Sequence, residues 1–242
     1  MVLCDKLALV TGASGGVGSA IARALASEGC GLHLVGRDAG RLEQTAAAAR
    51  EAGAASTKVH ALDLELDEPL QRLLHSLSRE SVPIDILVHS GGAYQRAEAA
   101  AATPEDFDRQ YKVNLRAAFL LTQSLLTPLR ARRGDIVFIN STQGLNASAA
   151  VSQFAATQHG LTALADALRL ELSKDGVRVL SLHLGRTATP RQERIFAAEG
   201  RPYQPERLIQ PEDVATIVVA ALRLPHRAQV MRLVMGTTER FY

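Results

Sequence analysis

The sequence contains no tryptophan, and aromatic residues make up only 4% of its 242 residues. Long apolar runs are also missing, so the sequence predicts no membrane-spanning helix. The net charge is only +2 and the basic residues form no runs, which argues against a nucleic-acid surface. The opening stretch, MVLCDKLALVTGASGG, runs from a short apolar segment straight into a glycine-rich turn, unlike a signal peptide. These features predict a cytoplasmic protein that binds neither nucleic acid nor a membrane.

Cysteine is nearly absent as well. Cys4 and Cys30 are the two present, and their spacing fits neither a metal site nor a disulfide framework. We therefore predict two free thiols in a reducing compartment and no metal site. The length and the 47% hydrophobic content allow one large core, which favours a single domain over residues 1–242.

Seven short apolar runs alternate with Ala-rich segments of helical periodicity. Strands that alternate with helices pair in parallel, and helices then cover both faces of the sheet. The predicted fold class is therefore α/β, with a doubly wound parallel sheet of about seven strands. The runs are LALVT, LHLVG, TKVHAL, IDILVHS, GDIVFIN, VRVLSLHL and QVMRLVM.

The stretch TGASGGVG, residues 11–18, follows the first predicted strand and opens the next helix. Gly12, Gly16 and Gly18 allow a tight turn, a close approach to a pyrophosphate, and close packing of helix on strand. The N-terminus of that helix directs its positive end toward the phosphates. Because the strand and helix stand where a dinucleotide-binding motif needs them, a Rossmann-type site is favoured over a tight loop without a ligand.

The second predicted strand ends about twenty residues past this motif, where a ribose-binding carboxylate is typical of NAD sites. Here the strand end reads Gly36, Arg37 and Asp38. The guanidinium of Arg37 suits a 2′-phosphate, and Ser14 can add a hydroxyl group. Asp38 offers the alternative of a contact with the ribose hydroxyls of NAD. The pattern favours NADP(H) over NAD(H) as the cofactor.

The order of the motifs resembles the short-chain dehydrogenase/reductase family over essentially the whole chain. Residues 11–18 match the family's cofactor turn, TGxxxGxG. Asp63 in ALDLE matches an aspartate that contacts adenine. The family's NNAG corresponds to HSGG, residues 89–92, in which only the final glycine is kept.

Later motifs extend the resemblance. Asn114 in KVNL matches the family's catalytic-site asparagine, and Ser141 matches the serine that ends the fifth strand. The family's PGxxxT appears as LGRTAT, with Gly185 and Thr189 kept and Leu184 in place of proline. The predicted cofactor-binding residues are Thr11, Gly12, Ser14, Gly16, Val17, Gly18, Arg37, Asp63, Leu64, Ser90, Gly91, Gly92, Gln158, Gly185, Thr187 and Thr189.

The family's Tyr-x-x-x-Lys pair falls on SQFAATQHG, where Phe154 takes the tyrosine position and Gln158 the lysine position. Residues four apart share a helix face, so such a pair points into one pocket. In family members the ammonium lowers the phenol pKa from about 10 and holds the nicotinamide ribose, and the phenol is the acid or base. Phe154 has no proton to donate, and Gln158 can bond ribose hydroxyls without tuning a neighbouring acid.

Two interpretations of this loss stay open. In the first, the protein is an atypical NADP(H)-dependent oxidoreductase acting on a carbonyl or an alcohol. Positioning alone removes about 7–11 kcal/mol of barrier, whereas acid catalysis contributes about 10²–10⁴-fold. Ser141 and Gln143 would then polarise the carbonyl, and Tyr94 or His89 would supply the proton. In the second, the protein is an NADP(H)-binding pseudoenzyme that serves as a regulatory or partner subunit. The retained Asn114, Ser141 and cofactor turn favour the first.

Several of these residues also have a structural interpretation. His89 closes an apolar strand, where a hydrogen-bonded packing histidine is as common as a proton donor. Asn114 can tie neighbouring backbone together, and Ser141 can stabilise a turn. Thr189 can cap a helix that starts at Pro190.

Two longer segments bear on partners. Residues 186–210 correspond to the segment in which family members build a substrate lid, and its side chains fit an anionic or aromatic substrate, with a solvated loop as the alternative. The helix predicted over about 151–174 has an apolar face; in similar proteins it pairs with its counterpart, so the resemblance implies a homodimer or homotetramer. The side chains of interest in the first segment are Arg191, Arg194, Arg201, Arg207, Phe196 and Tyr203.

Overall fold

A computed structural model describes residues 3–79 and 82–239 of the chain. Within them, seven parallel strands form one sheet in the order β3-β2-β1-β4-β5-β6-β7. All seven predicted strands and the predicted fold class are confirmed. The strands are β1 (Leu7–Thr11), β2 (Gly31–Gly36), β3 (Ser56–Ala61), β4 (Ile86–His89), β5 (Asp135–Ser141), β6 (Arg178–Leu184) and β7 (Arg232–Met235).

The helices connect the strands in chain order. A π-helical turn over Lys112–Arg116 joins the fourth helix to the fifth. The helix predicted over about 151–174 ends at Glu171, because a 3-10 turn and Gly176, at φ +71, follow it. The helices are α1 (Gly16–Ser27), α2 (Ala39–Glu51), α3 (Asp67–Arg79), α4 (Pro104–Tyr111), α5 (Ala117–Ser124), α6 (Leu126–Arg132), α7 (Ser152–Glu171), α8 (Pro190–Ala198) and α9 (Pro211–Leu222).

Helices cover both faces of the sheet because strand side chains alternate between the two faces. Along β1, Ala8 and Val10 pack with α1, α2 and α9, whereas Leu9 packs with α3, α5 and α7. Each fully buried Leu, Ile or Val side chain stabilises the fold by about 1.5–3 kcal/mol. The two cores therefore hold the sheet rigidly between the helix layers.

The strand order reverses between β1 and β4, so the connections that leave these two strands diverge and open a crevice at their carboxyl ends. The glycine turn after β1 and the loop after β4 meet there. This crevice is where a doubly wound sheet binds its ligand. No helix within residues 3–79 and 82–239 has the length and apolar character needed to cross a membrane.

Candidate active site

A cleft of about 1060 Å³ opens at the crevice between β1 and β4. This volume lies just above the usual range for small-molecule sites, which suits an extended cofactor together with a substrate. All the predicted cofactor residues except Thr11 line the cleft, and so do Tyr94, Asn114, Ser141 and Phe154. The fold thus brings the predicted residues together, although their individual roles stay predictions.

The glycine turn depends on its missing side chains. Gly12 has φ +67, and a Cβ there would lie 2.6 Å from the carbonyl oxygen of Ser90. A Cβ on Gly18 would lie 2.3 Å from the carbonyl oxygen of Gly12. Helix α1 begins with Gly15 as its N-cap, with no capping side chain and no acidic residue in the first turn. Its first N–H groups are therefore free of side-chain partners and can receive an anion.

Thr11 lies outside the cleft, which corrects its predicted contact with the cofactor. Its buried hydroxyl donates to the Val88 carbonyl at 3.4 Å and accepts from the N–H groups of Ser90 and Gly91 at 3.1 Å each. With both functions engaged, the side chain cannot reach a ligand. Thr11 instead holds the loop after β4 against the glycine turn.

The far end of the cleft carries the pair Arg37 and Asp63, whose Nη1 and Oδ2 atoms are 3.6 Å apart. Arg37 is 61% exposed, so its guanidinium can still reach a ligand phosphate. Asp38 caps α2: its Oδ1 accepts from the N–H of Arg41 at 3.0 Å. The cap uses only Oδ1, so Oδ2 of Asp38 is left to accept from ribose hydroxyls, and the NAD alternative stays open at this residue.

Asn114 lies in the π-helical turn, and its side chain is fully engaged. Its Oδ1 accepts from the N–H of Ala93 at 2.6 Å, and its Nδ2 donates to the Ala93 carbonyl and the Thr157 hydroxyl at 3.0 Å each. These contacts agree with the structural interpretation of Asn114, in which its side chain ties neighbouring backbone together. Asn114 therefore ties the loop after β4, which carries Tyr94, to α7, which carries Phe154.

Phe154 and Gln158 lie on the face of α7 that lines the cleft, and they are 8% and 5% exposed. The ring of Tyr94 meets that of Phe154 edge-on, with the centroids 5.0 Å apart. Burial raises the pKa of Tyr94, and the neighbouring Arg96 guanidinium opposes this rise. The phenol is therefore protonated at neutral pH and can donate a hydrogen bond or a proton.

Ser141 ends β5 and accepts, through its hydroxyl oxygen, a hydrogen bond from the N–H of Gln143 at 3.1 Å. Its own hydrogen is left to donate to an acceptor in the cleft. The side chain of Gln143, by contrast, is bonded at both ends to Ser148, at 3.0 and 2.8 Å. These two bonds leave one amide N–H of Gln143 free, and Gln143 lines the cleft, so its predicted part in polarising a carbonyl stays a prediction beside that of Ser141.

His89 does not line the cleft. It is 4% exposed, its Nε2 lies 2.9 Å from the hydroxyl oxygen of Thr122, and its ring stacks on Phe138 at 4.8 Å. Burial lowers the pKa of His89 to about 3, so the ring is neutral at physiological pH. Of its two interpretations, the packing one agrees with these contacts, and His89 cannot deliver a proton into the cleft.

The segment 186–210 covers one side of the cleft. Thr187 pairs with Ile209, which ties the two ends of the segment together. Thr189 accepts from the N–H of Gln192 at 3.2 Å and starts α8, as the capping pattern predicts. The alternative of a solvated loop is therefore wrong for Pro190–Ala198.

Sequence reasoning missed an ion-pair network at this side of the cleft. The Nη2 of Arg186 donates to both carboxylate oxygens of Glu199, at 3.0 and 2.7 Å, and the Nη1 of Arg96 lies 3.5 Å from Oε1 of the same carboxylate. Arg191 donates across the cleft to the carbonyl of Gly92. Arg96 and Glu199 are 103 positions apart, so no local pattern signals their contact.

Comparison with known proteins agrees with this geometry. Residues 6–200 match the family model described as short chain dehydrogenase. Dehydrogenase/reductase SDR family member 11 of Bos taurus is 28% identical, over 97% of this chain and 97% of the relative. An uncharacterized oxidoreductase of Staphylococcus saprophyticus is 28% identical, over 94% of this chain and 95% of its own. The protein therefore belongs to the short-chain dehydrogenase/reductase family.

Solved structures show the same architecture. A single-residue variant of actinorhodin polyketide ketoreductase with NADPH superposes with a TM-score of 0.87 at 26% identity, over 96% of each chain. The alcohol dehydrogenase of the archaeon Thermococcus sibiricus, complexed with 5-hydroxy-NADP, has a TM-score of 0.86 at 26% identity, over 98% of this chain and 99% of its own. Both of these structural neighbours hold a nicotinamide cofactor or its derivative.

Proposed function

We propose that the protein is an NADP(H)-dependent oxidoreductase that reduces a carbonyl, or oxidises the corresponding alcohol, without the usual tyrosine and lysine. The observation that carries the proposal is that Tyr94 and Ser141 both line the cleft, where the ring of Tyr94 contacts Phe154. These two hydroxyl groups are the hydrogen-bond donors that a carbonyl oxygen needs there. The relatives named oxidoreductases support the same reaction class.

The cofactor proposed is NADP(H) in preference to NAD(H). Arg37 offers an exposed guanidinium to a 2′-phosphate, and Asp38 is engaged as the cap of α2. Gln158 lines the cleft; its backbone carbonyl accepts from Asn140 and Thr162, and no described residue hydrogen-bonds its side-chain amide. Its side-chain amide is thus able to bond the nicotinamide ribose. The bound nicotinamide would supply or accept the hydride.

The proton would come from Tyr94 in the direction of carbonyl reduction. As hydride adds to the carbonyl carbon, negative charge grows on the oxygen, where Ser141 donates a hydrogen bond and Tyr94 donates its proton. The resulting phenolate lies beside the Arg96 cation and recovers a proton from solvent. Asn114 acts as a positioning residue, because it holds the loop that carries Tyr94.

We also propose residues 186–210 as a substrate lid of a single domain over residues 1–242. The contacts of Arg191 and Glu199 with the loop after β4 support a covering role. The homodimer or homotetramer through the helix over 151–174 stays a prediction. Much of the apolar face of that helix, including Leu161 and Leu168, is buried within the same chain.

The test is NADPH consumption by the purified protein over a panel of aldehydes, ketones and quinones. Tyr94→Phe is expected to lower kcat by about 10²–10⁴-fold with little change in NADPH affinity, because it removes the acid and keeps the ring. Tyr203→Phe is the matched control, since Tyr203 packs on Phe196 outside the cleft lining. Equal turnover in Tyr94→Phe and the wild type would overturn the role of Tyr94.

The second candidate is an NADP(H)-binding pseudoenzyme, favoured by one observation: burial raises the pKa of Tyr94, which makes its phenol a weaker acid. A wild-type protein that binds NADPH but consumes none, beside an active Phe154→Tyr, Gln158→Lys double variant, would support this candidate. Turnover in the wild type would exclude it.

A further inference from the structure

The lid side of the cleft has an excess of positive charge. Among the described residues that line it, four arginines face one carboxylate, that of Glu199. Of these, Arg191 interacts electrostatically with Arg37 at the far end, where the adenosine part of a cofactor would lie, whereas Arg96 and Arg186 pair with Glu199. The four are Arg96, Arg186, Arg191 and Arg194.

Arg186 is held in a fixed orientation. Its guanidinium lies over the ring of Phe196, 4.7 Å from the centroid, and its Nη2 donates to both carboxylate oxygens of Glu199. The Nη1 atom is buried and has no hydrogen-bond partner among the described residues. A buried, charged donor without a partner is costly, and the Arg186 side chain as a whole is 27% exposed and lines the cleft, so a small turn of the guanidinium that brings Nη1 to an acceptor in the cleft would be favoured.

Arg96 also has donors to spare. Its Nη1 lies 3.5 Å from Glu199, at the outer limit of a hydrogen bond, and its side chain is 44% exposed. Glu199 is only 10% exposed and shared between two guanidiniums, so the three side chains carry a net positive charge. A planar guanidinium matches the geometry of a carboxylate, which it can bind with two parallel hydrogen bonds.

We propose that Arg186 and Arg96 form a subsite for a carboxylate group on the substrate. The aromatic walls of Tyr94 and Phe154 line the same cleft, so the substrate would be a carbonyl compound whose flat or apolar body ends in a carboxylate. Glu199 serves as an internal counter-ion that holds both guanidiniums and competes with the ligand. The carbonyl in this substrate rests on the proposed function; the carboxylate subsite does not.

Benzoate is the probe, because it is inert and carries the carboxylate on a flat ring. Its binding to protein saturated with NADP⁺ would be measured by titration calorimetry, with benzamide as the neutral analogue. We expect benzoate to bind at least about tenfold more tightly than benzamide, and Arg186→Gln to weaken benzoate binding about ten- to hundredfold. Arg201→Gln is the matched control, because Arg201 belongs to the same segment but does not line the cleft.

Glu199→Gln supplies a result that a purely structural network would not give. Removing the internal carboxylate frees donors of both arginines, so benzoate affinity should rise severalfold. Arg186→Lys and the Arg186→Gln, Glu199→Gln double variant avoid leaving a buried carboxylate unpaired, so they replace Arg186→Gln if that variant fails to fold. Equal binding of benzoate and benzamide, equal effects of Arg186→Gln and Arg201→Gln, or weaker binding in Glu199→Gln would each overturn the subsite.

Turnover separates this proposal from the proposed function. We expect kcat/KM with NADPH to be at least about tenfold higher for 4-carboxybenzaldehyde than for benzaldehyde, and Arg186→Gln to remove the difference mainly through KM. Reduction of benzaldehyde by a protein that binds benzoate no more tightly than benzamide would overturn the subsite and leave the reductase standing. Tighter binding of benzoate than of benzamide that is lost in Arg186→Gln, together with no reduction of any carbonyl, would leave the subsite standing and overturn the reductase.

Discussion

The two ends of the cleft differ in how closely they follow the family pattern. The end beside the glycine turn keeps the elements a nucleotide needs: Gly12, Gly18, the free N-terminus of α1, and Arg37 directly after β2. The other end replaces the proton-transfer pair with Phe154 and Gln158 in the predicted alignment. Nucleotide binding depends on backbone geometry and fixed charge. A single substitution at another position rarely recreates either of them. A proton donor is one side chain, and a neighbouring loop can supply another.

The difference between the ends also fits the energetics. Holding hydride donor and carbonyl together is worth about 7–11 kcal/mol, whereas a general acid is worth about 10²–10⁴-fold in rate. Loss of the first would abolish the reaction. Loss of the second leaves room for Tyr94 and Ser141 to recover part of the rate.

Rebuilding the pair should give the largest effect. In a Tyr94→Phe background, Phe154→Tyr with Gln158→Lys is expected to restore turnover by about 10²–10⁴-fold, because a new acid replaces the removed one on the same cleft wall. Steady-state kcat with NADPH measures this. Phe154→Tyr alone is the control and should restore less, since no ammonium lowers the phenol pKa. A triple variant as slow as Tyr94→Phe would show that α7 does not face the reacting carbonyl.

Breaking the glycine turn tests the other end. Gly12→Ala is expected to destabilise the protein by about 2–5 kcal/mol, because a left-handed φ costs about 1–2 kcal/mol and overpacking against the Ser90 and Gly91 backbone adds about 1–3 kcal/mol. Gly200→Ala is a close control: its φ is +66 against +67, and nothing lies within 4 Å of its Cβ position. Urea unfolding gives both free energies of unfolding. Equal losses would mean that contact with the loop after β4 contributes nothing.

The buried His89, the last residue of β4, makes stability depend on pH. Its pKa is about 3 in the folded protein against 6.5 ordinarily, so below pH 6.5 the unfolded chain binds a proton that the folded chain refuses. Stability should therefore fall from about pH 6.5 toward pH 3, by at most about 1.4 kcal/mol per pH unit from this group. His89→Gln should flatten the slope of the free energy of unfolding between pH 6 and pH 4. His75→Gln, at an exposed histidine, should not, and identical slopes in both variants would contradict the assignment.

Much of the fold could be predicted because it depends on local pattern. The seven apolar runs, the glycine turn, and the helix start at Pro190 are each specified within a few residues of sequence. The Arg96–Glu199–Arg186 network could not be predicted, since it joins a loop after β4 to a segment about a hundred positions away. Charge alone did not reveal which arginines of the lid face the cleft.

The sequence also does not reveal which side chains already use their hydrogen-bonding groups within the protein. The motif predicts a cofactor contact for Thr11, but the loop after β4 folds back and takes up its hydroxyl. Gln143 has the right chemistry for polarising a carbonyl, and Ser148 takes up one of its two amide N–H groups, which the sequence does not indicate. A motif identifies residue types at a site; which donors remain free is decided by the loops that close around them.

The cofactor preference gives the smallest expected effect. Arg37→Gln should weaken NADPH binding about tenfold and leave NADH binding unchanged, because only NADPH carries the 2′-phosphate that the guanidinium would bind. A larger loss is not expected, since Arg37 is 61% exposed and solvent screens its charge. Fluorescence titration with each nucleotide measures the two dissociation constants. Arg50→Gln is the control on α2, because Arg50 contacts Thr57 outside the cleft. If Arg37→Gln weakened the binding of NADH and NADPH equally, Arg37 would be supporting the shape of the loop through Asp63. The proposed preference for NADP(H) would then have no residue to explain it.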